Sequence, residues 1–460
     1  MITDYQNYLQ RKTIKYESSG FAVKNINDKL FDFQRDITKW ALKRGRACLF
    51  EQCGLGKTPQ QLVWADNVRS KGDVLILAPL AVASQTVKEG KKFGVDLEYS
   101  RTGEKSKVGI TITNYEMLNH FNPAEYTGIV LDESSILKNY TGKFRTEIIN
   151  SFSKTPYKLA CTATPSPNDL MELGNHSEFM GAMSRQEMLS MFFVHDGGET
   201  QKWRLKGHAK DDFWKWVCSW AVMINRPSDL GYDDGKFKLP PLTMHEIIVD
   251  VDNSTAKETL FHIEAQTLQE RLLARKDSTK ERCEKAAEIV NSLDESCLIW
   301  CGRNCESEML KKLIKDSKEI KGSDDWQYKE KTMLGFTDGT VKKLITKPSI
   351  AGFGMNWQHC SKIFFVGLSD SYEQFYQAIR RSWRFLQKNP VDCYIIISQT
   401  EGAVLANIKR KESQSAEMQR GMIQFMHGYN EKNIKGLERS VSHYLPQEKL
   451  IIPKWLTGAV

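Results

Sequence analysis

Residues 47–58 read ACLFEQCGLGKT. Residues 47–50 form a short, continuous apolar run, the pattern of a parallel strand covered on both faces. A turn built on Gly54 and Gly56 follows, and Thr58 opens an amphipathic stretch expected to be helical to Val68. A strand, a glycine turn and a helix N-terminus, in that order, make a phosphate cradle. The glycines let backbone N–H groups close around anionic oxygens, and the helix end adds positive potential. Gly54, Leu55 and Gly56 would supply the loop. Lys57 would reach the β- and γ-phosphates of ATP, and the Thr58 hydroxyl would hold Mg2+. The strict pattern has glycine where this chain has Glu51, so the loop is a variant.

Outward from that loop, strand-length apolar runs recur at Val74–Ala78 and at 110–113, 129–131 and 159–161, with helical stretches such as 82–93 between them. The rhythm returns at 297–300, Lys343–Thr346, Lys362–Val366 and 393–397, with helical stretches at 306–314 and 372–381. Repeated strand–helix units imply parallel α/β sheets. The expected fold is therefore α/β, with two tandem RecA-like parallel-sheet lobes, a helical insertion and a helical C-terminal brace. The divisions drawn are an N-terminal segment 1–30, an ATP-binding lobe 31–174, a helical insertion and connector 175–245, a second lobe 246–400 and a brace 401–460. The insertion carries Trp203, Trp214, Trp216 and Trp220, read as core rather than as a base-stacking platform. Leu239, Pro240 and Pro241 make a stiff connector.

The chain has 460 residues, 27% of them charged, and a formal net charge of +8. That length exceeds one compact core, and the basic excess suits a polyanion. No apolar run nears the roughly 20 residues needed to cross a bilayer. The polar N-terminus reads as neither a secretory signal nor a transit peptide, so the expected setting is cytoplasmic, without a membrane partner. Of ten cysteines, the closest set is Cys297, Cys301 and Cys305. Its spacing suits buried or incidental thiols better than a zinc knuckle.

Asp132 and Glu133 end the run GIVLDES, 75 residues beyond Lys57. Ligands of a parallel sheet bind at the carboxyl ends of its strands, so these carboxylates should share one edge with the Lys57 loop. Asp132 suits the magnesium shell and Glu133 the polarising of an attacking water. CTATP at 161–165 ends a further strand on that side. In the second half, SIAGFGMNW (349–357) precedes QAIRRSWRFLQ (377–387). If the latter stays helical, Arg381 and Arg384 share a face. They could stabilise a transferring phosphoryl group, or simply form a solvated basic face.

These blocks, in this order from about Leu30 to Gln399, resemble the superfamily 2 helicases and translocases of the DEAD/DEAH-like class, and best the Swi/Snf-like branch. Residues 31–34, ending in Gln34, look like the adenine-reading glutamine motif. Residues 77–80 and 113–116 look like two first-lobe motifs. LDESSILKN and TATPSPNDLMEL are similar to the branch's second and third blocks. GFGMNW and QAIRRSWRFLQ resemble its fifth and sixth. The resemblance implies Arg381 and Arg384 as arginine fingers, with Gln377 and Gly354 nearby, and Ala78, Pro79, Thr113 and Asn114 as nucleic-acid contacts. Ser135 stands where the branch has histidine, and Arg380 and Leu386 where it has glycines. The compact size and the Ser-Ser variant look like phage-encoded members, which would place the chain in a bacterial host beside a separate nuclease or replication protein. The function implied is ATP-driven movement along, or remodelling of, duplex or branched DNA. The alternatives are strand-separating DNA helicase, RNA helicase, and a non-catalytic nucleic-acid-binding scaffold.

Overall fold

The computed structural model describes residues 18–79, 82–138, 142–167, 169–195, 203–251, 275–351 and 355–434. The first lobe begins with helix α1 (Asp32–Arg44) and strand β1 (Arg46–Glu51), then α2 (Lys57–Val68), β2 (Val74–Ala78), α3 (Ala83–Phe93), β3 (Glu98–Tyr99), β4 (Ile110–Asn114) and β5 (Gly128–Asp132). It continues through α4 (Lys143–Ser151) and β6 (Tyr157–Thr162). The sheet order is β3-β4-β2-β5-β6-β1, every pair parallel. From β1 the chain crosses to β2, and β5 and β6 later fill the gap, which makes a topological switch point beside the end of β1. The interior strands are apolar along their whole length because helices cover both faces. Cys48, Phe50, Leu75 and Leu131 face one core, and Leu49, Ile76 and Val130 face the other.

Residues 175–245 are helical at α5 (Leu173–Met180), α6 (Arg185–Phe192) and α7 (Lys210–Cys218), and they also form strands. β7 (Phe193–His195) and β8 (Trp203–Leu205) make a separate antiparallel pair, while β9 (Ala221–Ile224) adds to the first-lobe sheet by pairing with β1. Through β9 the segment joins the first-lobe sheet, and through the start of strand β10 (Leu242–Val249) it reaches the second. Trp214, Trp216 and Trp220 are buried in the same core as Phe50 and Phe179, so packing claims these rings.

The second lobe contains β10 (Leu242–Val249), α8 (Thr279–Asn291), β11 (Cys297–Cys301), α9 (Asn304–Leu313), β12 (Ser317–Glu319), α10 (Trp326–Asp338), β13 (Lys343–Thr346), α11 (Pro348–Ala351), β14 (Lys362–Val366), α12 (Tyr372–Ile379) and β15 (Val391–Ser398). Its all-parallel order is β10-β15-β14-β11-β13-β12. β10 begins four residues before the expected lobe boundary at 246, and the Trp383 indole donates to the Pro240 carbonyl at 2.8 Å, tying the proline connector to this lobe.

The 33-residue helix α13 (Gly402–Ile434) runs back over the first lobe. Val404, Leu405 and Ile408 belong to the second-lobe core, whereas Met422 enters the core around Trp220 and Ile434 enters the one around Trp64. Its start is fixed by charge. Buried Arg282 pairs with Glu306 at 3.0 Å and with Glu401 at 3.1 Å. Breaking a buried pair of this kind by removing one partner costs about 3–5 kcal/mol. Cys297 and Cys301 are buried, Cys305 is exposed, and all three are free. Among the described residues no helix is long and apolar enough to cross a membrane, and no His/Cys/Asp/Glu group could hold a metal by itself.

Candidate active site

The glycine loop after β1 adopts the conformation its residues allow. Gly54 and Gly56 have φ of 93° and 82°, and Gly56 starts α2 without a side-chain cap. The N–H groups of that first turn are thus presented to the cleft. Lys57 Nζ curls back to the carbonyl oxygens of Glu51 (2.8 Å) and Gln52 (3.3 Å). Gln60 and Gln61 lie three and four residues beyond Lys57, on its side of α2. Gln60 donates to Glu51 Oε2 and Gln61 to Asp132 Oδ1, each at 2.8 Å. Neither glutamine was singled out in the sequence, although their spacing from Lys57 was the available signal.

Glu51 is wholly buried, and burial pushes its pKa up to about 7 against the opposing pull of Lys57 and Gln60. Between the usual carboxylate value of 4.5 and about 7, the folded chain keeps a proton that the unfolded chain has released. Stability therefore falls as pH rises through that window. Glu51→Gln removes this loss, so its gain in Tm should be larger at pH 8 than at pH 5 in thermal melts. An equal effect at both pH values contradicts the assignment.

Asp132 ends β5 and Glu133 follows it, on the same edge as the loop. Burial raises the Asp132 pKa, opposed by the Gln61 bond and the Lys57 charge. Glu133 has φ 58°, a left-handed conformation uncommon for a non-glycine residue and of the kind that clusters at functional sites. Burial pushes it up to about 7, Lys57 and Arg381 pull it down, and Asp132 pushes it up. Its Oε1 accepts from Gln377 Nε2, across the cleft, at 2.9 Å. Ser134 Oγ meets buried His176 Nε2 at 3.0 Å, a partner drawn from α5 that the sequence did not suggest.

The arginine segment differs from expectation. The helix expected over 372–381 ends at Ile379, so the shared-face argument for Arg381 and Arg384 does not apply. The chain turns here because the Arg381 carbonyl is taken by the Trp357 N–H at 2.9 Å. Arg380 stacks over Trp383 with its guanidinium carbon 4.3 Å from the ring centroid. Arg381 and Arg384 converge nonetheless, their Nη1 atoms 3.2 and 3.4 Å from the Met355 carbonyl oxygen. Arg381 Nη2 also donates to Gln377 Oε1 at 2.9 Å. Gln377 thus joins Glu133 on one lobe to Arg381 on the other. Lys138 pairs with Glu373, and the Tyr376 hydroxyl donates to Gln52, across the same cleft.

The cleft has a volume of about 350 Å³, and Gln34, Gly54, Gly56, Lys57, Thr58, Asp132, Glu133, Gln377, Arg381 and Arg384 all line it. Leu55 is buried beneath the loop, and Gly354 and Asn168 lie outside the described residues. Lysine, the open helix end, the Thr58 hydroxyl and the Asp132 carboxylate make a donor set that fits a nucleoside triphosphate with magnesium.

The four nucleic-acid candidates are placed differently. Ala78, Thr113 and Asn114 have no exposed surface, because β2 and β4 are interior strands covered on both sides. The Asn114 side chain bonds Tyr99, and Pro79 lines the nucleotide cleft. The side chains of Ala78, Thr113 and Asn114 cannot touch a ligand in this arrangement.

No protein-family model matches the chain. It is 24% identical over 169 residues to the mouse "DNA annealing helicase and endonuclease ZRANB3", covering 33% of this chain and 16% of that protein. The cattle protein of the same name is 23% identical over 273 residues, 53% of this chain and 24% of it. The Drosophila melanogaster "ATP-dependent helicase brm" is 25% identical over 173 residues, 32% of this chain and 10% of it. The chain is thus similar to proteins described as DNA annealing and ATP-dependent helicases. It spans between a tenth and a quarter of the length of these curated relatives. A solved structure, "Sulfolobus solfataricus SWI2/SNF2 ATPase core in complex with dsDNA", superposes with a TM-score of 0.42 at 17% identity, covering 90% of this chain and 99% of that one.

Proposed function

We propose that this chain is a DNA-dependent ATPase that moves along or remodels duplex or branched DNA by hydrolysing ATP between its lobes. The observation that carries the reading is the Gln377 bridge, which holds a carboxylate of lobe 1 and a guanidinium of lobe 2 on one cleft. Lys57 and the open end of α2 would bind the phosphates. Thr58 and Asp132 would hold magnesium, which when bound neutralises phosphate charge. Glu133, with a pKa of about 7, is suited to accept a proton from the attacking water near neutral pH. Arg381 and Arg384 would offset charge building on the transferred group. Because these groups sit on different lobes, phosphate binding and release would bias the hinge between them.

DNA as the partner is supported by the names of the mouse and cattle relatives, by the net charge of +8, and by a second cleft of lobe 2. That cleft lies at the carboxyl ends of β11, β13 and β14, where Lys347, Ser349 and Ser369 present an ammonium and two hydroxyls, while the Arg275 charge is taken by Glu306. Binding of this kind is dominated by phosphate contacts, so affinity for unrelated duplexes should fall together, by ~10³–10⁵ between 50 and 200 mM salt if six to ten phosphates are contacted. Fluorescence anisotropy measures this. Triplex displacement with ATP tests movement. Displacement of the third strand supports a translocase, and unwinding of a fork without triplex displacement supports strand separation instead.

A further inference from the structure

Arg380 does not line the nucleotide cleft, yet its side chain is buried, with 8% exposed. It follows α12 one turn after Tyr376, a spacing that brings the two side chains to one face. Its guanidinium carbon lies 5.2 Å from the Tyr376 ring centroid and 4.3 Å from that of Trp383. Its hydrogen bonds go to neutral oxygens. Nη1 donates to the Trp383 carbonyl and Nη2 to Gln52 Oε1, each at 3.4 Å, and Nε has no partner among the described residues. Burying a charge on two long bonds and two ring faces costs stability. An apolar residue of similar size would avoid that cost.

Gln52 heads the phosphate loop, and each of its polar groups is engaged. Its N–H donates to the Ile224 carbonyl of β9 at 3.0 Å, and its carbonyl accepts from Lys57 Nζ at 3.3 Å. Its Oε1 accepts from the Tyr376 hydroxyl, from Arg380 and, at 3.3 Å, from the Cys53 N–H. Its Nε2 donates to Gln419 of α13 at 3.4 Å. One glutamine therefore joins the loop lysine to lobe 2 and to α13. On the other side of Arg380, the Trp383 indole is tied to the Pro240 carbonyl at 2.8 Å. A connected path thus runs from the inter-lobe connector through Trp383, Arg380 and Gln52 to Lys57.

We infer that Arg380 is a positioning residue, which through Gln52 fixes the phosphate loop against lobe 2 and so sets affinity for the phosphates rather than the rate of their transfer. The inference rests on the nucleotide reading of the cleft. A loop untied from lobe 2 samples arrangements that do not bind, and apparent affinity falls in proportion to the competent fraction. Chemistry is spared, because Glu133 and Arg381 keep their own link through Gln377. The planar guanidinium offers its face to the rings and its edge to Gln52, which an ammonium cannot do.

Equilibrium calorimetry on the full chain with ADP and with inorganic pyrophosphate, beside steady-state ATPase rates, tests this. The variants are Arg380→Ala, Arg380→Met, Gln52→Ala and Arg380→Ala combined with Gln52→Ala, each checked by thermal melting. Arg380→Met keeps an apolar stem against the two rings and stays informative where alanine destabilises the fold. Both Arg380 variants should bind ADP and pyrophosphate about tenfold more weakly, with kcat at saturating ATP within about twofold of the parent. The combined variant should bind no more weakly than Gln52→Ala alone, because one residue acts through the other. Additive losses would show that Arg380 acts by another route and overturn the inference. Weaker ADP binding with pyrophosphate unchanged would overturn it too, by moving the effect away from the phosphates. Lost kcat with binding intact would make Arg380 a support for Arg381 and overturn the positioning role. A parent that binds both ligands, with Arg380→Met unaffected, overturns this inference alone. A parent that binds both, with the expected losses, yet hydrolyses nothing removes the motor and keeps the positioning role. A parent that binds neither removes both.

Discussion

Glu133→Gln is expected to lower kcat by about 10²–10⁴-fold, the range of a lost general base, while ATP binding persists. The substitution is nearly isosteric, and the new amide oxygen can still accept the 2.9 Å bond from Gln377. What it loses is the capacity to take a proton. The pKa of about 7 sharpens the test. Only the ionised carboxylate acts as a base, so kcat/KM of the parent should rise with pH through about 7 and level off above it. The residual activity of the variant should lack that limb. Steady-state rates from about pH 5.5 to about pH 8.5 read this. Normal turnover by Glu133→Gln would show that another group accepts the proton.

Arg381→Ala should reduce kcat by ~10³–10⁵, the scale of an arginine that stabilises a phosphoryl transition state. Its guanidinium donates to the Gln377 carbonyl at 3.1 Å, the Gln377 side chain at 2.9 Å and the Met355 carbonyl at 3.2 Å. A charged, pre-oriented fork therefore faces the cleft, and its loss also frees Gln377 from holding Glu133. Arg381→Lys keeps the charge without the planar fork and should recover little of the rate. Melting temperature and ATP affinity separate chemistry from folding. Lost kcat with ATP binding retained supports the role, and full activity in either variant contradicts it.

Much of the fold was legible because interior parallel strands are apolar on both faces. Val74–Ala78, Lys343–Thr346 and Lys362–Val366 have the bounds that the runs suggested. Of the strands that escaped, two lack that signature and one carries it. Ser317–Glu319 is a polar edge, Leu242–Val249 alternates because only part of it is covered, and Ala221–Ile224 is hidden in an aromatic-rich segment. At the site, Lys57, Asp132 and Glu133 could be read because Lys57 follows the end of β1 and the two carboxylates stand at the end of β5. The Gln377 bridge could not, because it joins residues 244 apart in the chain. The meeting of Arg380 with Gln52 was unreadable for the same reason, and the burial of Thr113 and Asn114 depends on neighbours that only the sheet order reveals.

The most direct test of the account is the steady-state ATPase rate of the full chain without nucleic acid and with single-stranded, duplex or forked DNA or RNA, beside Lys57→Ala. The account predicts hydrolysis stimulated chiefly by duplex or forked DNA and abolished in Lys57→Ala. Hydrolysis no higher than the Lys57→Ala background with every nucleic acid would contradict it.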